Sequence, residues 1–130
     1  MTQRSLARVA VVFLLVSLAV ACGATARTKV LRVNLVALNT ARDTVLAFSR
    51  ERERQLYAEC KPPACTKEEG YARVAVFQSK VDPVVAALDV AYRATHDAGL
   101  LGDAKSASAA GAVAARALAL YDKLMKEEKP

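Results

Sequence analysis

Apolar residues recur along most of the chain at steps of three and four, the spacing of one face of an α-helix. Between Thr28 and Glu59 the stripe runs through Leu31, Leu35, Leu38, Val45 and Leu56, with Ala41 and Phe48 beside it. A second stripe passes through Val74, Phe77, Val81, Val84, Leu88, Ala91 and Thr95 without losing phase. A third takes Ala110, Val113, Ala117, Leu120 and Leu124, with Tyr121 and Met125 alongside. The pattern predicts three amphipathic helices over residues 28–59, 66–98 and 103–127.

The punctuation between the stripes agrees with this division. Pro62-Pro63, inside Cys60-Lys61-Pro62-Pro63-Ala64-Cys65, forbids helix there. Thr66-Lys67-Glu68-Glu69 is a capping box, in which the Thr66 hydroxyl can accept from the Glu69 amide. Asp97-Ala98-Gly99-Leu100 reads as a helix end with Gly99 in the left-handed conformation. Asp103 is a natural N-cap for the third helix. Pro83 falls inside the second stripe, where a proline costs about 3 kcal/mol and one hydrogen bond. Either the helix continues with a kink, or it breaks, with Asp82 as a new cap and Pro83 at the first helical position. The unbroken register predicts the kink. Short connections make the helices antiparallel neighbours, so the expected fold is all-α, an up-down-up three-helix bundle over residues 28–130.

Residues 9–21 read VAVVFLLVSLAVA, with Arg4 and Arg8 before them. As a helix this run spans about 20 Å, short of the ~30 Å hydrocarbon core of a bilayer. A basic start, an apolar run and small residues at its end describe a cleaved secretory signal over residues 1–21. Ala19-Val20-Ala21-Cys22 resembles the lipobox of bacterial lipoproteins, with Ala19 where that family usually carries Leu. The resemblance implies a lipid on Cys22, which becomes the first residue of an exported, periplasm-facing membrane lipoprotein. Gly23 rather than Asp after the cysteine implies, on the same resemblance, the outer membrane. Residues 22–27 would then be a tether. Two other outcomes stay open: cleavage after Ala24-Thr25-Ala26, and an uncut anchor extended by the small residues to Ala26.

Composition narrows the picture further. Apolar residues make up 54% of the chain and aromatics only 5%, which suits thin, closely packed helices better than a β-sandwich. With Cys22 assigned to lipid, Cys60 and Cys65 remain as an even pair in an oxidising compartment, and a disulfide between them is expected. So small a ring contributes only about 2 kcal/mol, so its role is to set the angle between the flanking helices. A metal site needs about four ligands, and the single histidine, His96, is far along the chain. No cofactor or metal is expected. Ala107, Gly111 and Ala115 form a small-residue row that either admits a neighbouring helix, from the bundle or a second copy, or is surface filler.

Charge and chemistry add little that points to catalysis. Removing Arg4 and Arg8 from the 19 basic residues leaves 17 against 13 acidic, a net charge of +4. Without clustering or stacking aromatics this does not describe a nucleic-acid binder. The run RERERQ, residues 50–55, pairs Arg50 with Glu53 and Glu51 with Arg54 at i,i+3. It reads as a solvated helix end in preference to a docking patch. Tyr57, Tyr71, Tyr92 and Tyr121 are expected at the core edge with hydroxyls in water. His96 beside Asp97 lacks a nucleophile in any recognisable motif, so no enzyme is expected. The expected function is a lipid-anchored interaction or scaffold module that binds an envelope protein or itself. The alternative is a periplasmic carrier of a small apolar ligand or lipid, held in a cavity between helices near Pro83.

Overall fold

A computed structural model of the protein describes residues 23–128. It contains three helices, α1 (Gly23–Glu59), α2 (Lys67–Leu101) and α3 (Ala104–Glu128), each packed on the other two, and no strand among the described residues. Arg27, Arg42 and Glu53 of α1 meet Gly102, Asp89 and Gln78 in that order, so α2 runs antiparallel to α1. Lys80 meets Glu128 while Ala98 shares a cluster with Ala107, so α3 turns back along α2. The fold is the expected all-α three-helix bundle.

What drives it is most visible on α2. Its buried residues are Gly70, Val74, Phe77, Val81, Val84, Leu88, Ala91, Thr95 and Ala98, alternating steps of four and three without interruption. An average step of 3.5 is the repeat that lets helices interlock along a left-handed seam. Leu38, Val45, Leu88 and Ala114 form the centre of the larger core cluster. A smaller cluster, Leu31, Ala98, Ala107 and Ala110, closes the end where α1 begins. Between the clusters, along α1 and α2, lie two buried polar residues, Asn34 and Thr95.

Pro83 lies within a continuous α2, with Val81 and Val84 buried on either side of it. Pro83 and Ser79 both face solvent, so water can reach the Ser79 carbonyl that the proline leaves without an intrahelical donor. Asp82 does not start a new helix.

Four expectations are corrected. Residues 23–27 are the first turns of α1, not a tether. Helix α2 runs past Gly99 to Leu101, and the left-handed residue is Gly102, at φ 73°, whose N–H donates to the Ala98 carbonyl at 3.0 Å. Asp103 does cap α3 as expected, accepting from the Ser106 amide. Tyr121 is buried, whereas Tyr57, Tyr71 and Tyr92 are exposed. Finally, the inner face of α3 is rotated from the expected stripe: Leu120 is 45% exposed and Leu118 only 6%. At 3.6 residues per turn the two faces differ by roughly 80°. Ala110, Ala117 and Leu124 of the expected stripe are buried, but the face turns from Val113 and Leu120 towards Ala107, Gly111, Ala114, Ala115 and Leu118, most of them small.

The rotation has a direct test. Leu120→Ala should change unfolding stability by no more than about 0.5 kcal/mol. Ala114→Leu, at a site with no exposure, should cost about 1–3 kcal/mol through overpacking. Urea titrations of the two variants giving the opposite order would restore the expected face.

Candidate functional site

The α1–α2 turn is tied at its base. Cys60 and Cys65 lie at disulfide distance, their Cα atoms 4.9 Å apart. The Thr66 hydroxyl accepts from the Glu69 amide at 3.2 Å, forming the expected cap of α2. Gly70 then passes close to the bridge: a Cβ there would lie 3.1 Å from Cys60 Sγ. The exposed rings of Tyr57 and Tyr71 meet edge to face across the same turn, with the Lys67 ammonium over Tyr71. Together they hold the end of α1 against the start of α2.

This clamped end carries a groove of about 390 Å³ between α1, α2 and the last turn of α3. Its floor is apolar, from Leu56, Val76 and Phe77, and its rim is charged, from Arg52, Arg73, Lys80 and Glu128. Lys80 is paired with Glu128 at 2.9 Å, and Arg52 reaches Glu59 at 4.0 Å. Two of the three cations are thus partly matched, but the groove's own lining has three positive groups to one negative. The run at residues 50–55 is divided by this arrangement. Glu51 and Arg54 form the expected pair at 3.7 Å. Glu53 instead accepts from Gln78 of α2 at 2.9 Å, and Arg52 turns towards the groove.

The residues singled out from sequence do not converge on one site. Cys22 lies outside the described residues. Ala107, Gly111 and Ala115 are all buried on the inner face of α3. His96 and Asp97 are exposed neighbours, Nδ1 to Oδ1 at 3.6 Å. Among the described residues no three His, Cys, Asp or Glu side chains gather as a metal cluster would require. Ser106 donates to Asp103 from its backbone N–H at 2.7 Å and from its hydroxyl at 2.9 Å. These bonds, the backbone one first, hold the Asp103 carboxyl below its ordinary value of 3.8.

Sequence reasoning missed Arg73, Val76, Lys80 and Glu128, because they come from two helices that only the fold brings together. It also missed Asn34. The one signal for Asn34 was its position midway between Leu31 and Leu38 on an otherwise apolar stripe. Asn34 is 1% exposed, and neither its amide nitrogen nor its oxygen has a hydrogen-bond partner. Compared with models of known families, with characterised proteins and with solved structures, the chain matches none.

Two outcomes follow for these residues. Gly70→Ala should gain up to about 1 kcal/mol of helix propensity only in a Cys60→Ala/Cys65→Ala background, where the sulfur is gone. With the bridge intact, the close approach to Cys60 cancels the gain, and equal gains in both backgrounds would show that the bridge does not confine α2. Asn34→Leu should raise stability by about 1–3 kcal/mol, because it removes an unsatisfied buried amide. A lower melting temperature would instead show the amide to be bonded in solution.

Proposed function

We propose that this chain is a non-enzymatic interaction module of the bacterial cell envelope, exported by residues 1–21 and held at a membrane by lipid on Cys22. On the lipobox resemblance that membrane is the outer one, with the bundle facing the periplasm. The groove at the clamped end carries the reading: an apolar floor under a mostly cationic rim suits an acidic, partly apolar segment of another envelope protein. The pairing of Cys60 with Cys65 supports an oxidising destination. His96 and Asp97 sit in open solvent, where neither gains much leverage over a developing charge. A carrier would need an enclosed cavity near Pro83, but the inward residues there, Val81, Val84 and Leu88, are packed into the larger core.

The test combines processing with capture. Intact mass of the membrane-extracted protein should correspond to residues 22–130 plus lipid. A photo-crosslinker replacing Val76, on the groove, should give a discrete adduct in intact cells, and one replacing Val36, on the outer face of α1, should not. Arg73→Glu with Lys80→Glu should reduce that adduct at least about tenfold, since reversed rim charges repel an acidic partner. A full-length, lipid-free product in the cytoplasm with Cys60 and Cys65 reduced would remove the reading, as would an adduct insensitive to the charge reversal.

A further inference from the structure

The opposite end of the rod has its own unusual feature. Leu100 and Leu101, adjacent at the α2–α3 turn, are 76% and 68% exposed. They are the two most exposed leucines among the described residues, and neither belongs to a core cluster. The turn is built to hold them outward. Helix α2 is not closed until Gly102, in the left-handed conformation, so both leucines ride on its last turn instead of folding back onto the core.

This tip lies beside the start of α1. The Arg27 guanidinium donates to the Gly102 carbonyl at 3.4 Å, and Arg27, Thr28 and Leu31 line a crevice with Ala98, Gly99 and Gly102. From Arg27 back to Gly23 the helix rises about 6 Å, one turn beyond the tip. Gly23, the first described residue, therefore lies at the same end of the bundle as the two leucines. Basic residues ring the same end: Arg27, Lys29 and Arg32 in the first turns of α1 and Lys105 in the first turn of α3, against Asp97 and Asp103. Apolar side chains at a tip, ringed by cations and next to the chain's membrane-directed end, are the pattern of an interfacial membrane contact.

We propose that the α2–α3 turn is a second membrane contact, with Leu100 and Leu101 inserted into the headgroup–acyl boundary of an anionic bilayer beside the point where residue 22 is anchored. The contact deepens the anchoring reading and rests on it for orientation. An anchor at a single residue leaves the rod free to tilt. Two points of attachment on different helices stand it on the surface, with the groove at its far end directed away from the membrane.

The chain contains no tryptophan, so a single indole reports its own surroundings. Leu101→Trp and, on the outer face of α1, Val36→Trp replace residues that are each 68% exposed, so neither disturbs the core. Both full-length genes are expressed, and the membrane-extracted products are reconstituted into vesicles of phosphatidylethanolamine and phosphatidylglycerol. The expected result is that brominated acyl chains remove most of the emission at position 101 and iodide little, with the reverse at position 36. Emission at 101 that iodide quenches and brominated lipid does not would overturn the contact, and a lipidated mass in that sample would leave the anchor reading standing. Emission protected from both quenchers would mean that protein, such as a second copy, covers the tip, which also overturns it. Quenching by brominated lipid in a sample whose mass shows no lipid on Cys22 would keep the contact and discard the anchor.

Discussion

The structure depends on how closely three helices can approach each other. Few aromatic residues are available, so the core cannot be filled by large rings and must be filled by bringing backbones together. Alanine makes that approach possible on α3, where most buried positions are alanine, and the uninterrupted four-three alternation on α2 gives both neighbours a continuous seam. Dispersion at these contacts falls off steeply with distance, so helices that pack on alanine gain it only when they touch. Pro83 is tolerated because it sits on the outer side of that seam, where losing one hydrogen bond leaves the inner contacts unchanged.

The same constraint makes the bundle a rod with two different ends. One end is tied by the Cys60–Cys65 turn, the Thr66 cap and the close passage of Gly70, and there the helices part enough to leave a groove. The other end, around Arg27 and Gly102, carries exposed leucines and basic residues. The proposed anchoring and partner binding use opposite ends. A module that must hold a membrane and reach a partner at once is served by that separation.

The buried polar layer is the exception to the apolar seam. Thr95 satisfies its hydroxyl by donating to the Ala91 carbonyl at 2.7 Å, within its own helix. Asn34 has no such local solution, because its amide reaches neither a backbone carbonyl nor another side chain. A lone asparagine on an apolar seam can select register at a cost in stability, since a shifted pairing would bury it against other partners. It lies where the two core clusters divide, the place where such selection is least costly to the packing on either side.

Helix number, the antiparallel order, the caps at Thr66 and Asp103 and the inward face of α2 were all legible in the chain, because each depends on residues within about one turn of one another. The continuation of α2 through Pro83 was legible for the same reason, in the phase that the apolar residues keep. The inner face of α3 was not. Alanine and leucine occur on several sides of that helix, and only contact with α1 and α2 selects Ala114 and Leu118 over Val113 and Leu120. The end of α2 was misplaced because Gly99 and Gly102 are equally able to turn left-handed, and the choice falls where Arg27 of another helix meets the turn. The groove was invisible because its rim joins Arg52, Arg73 and Glu128 across three helices. Local periodicity specifies each helix, and only packing decides how it is rotated and which distant charges become neighbours.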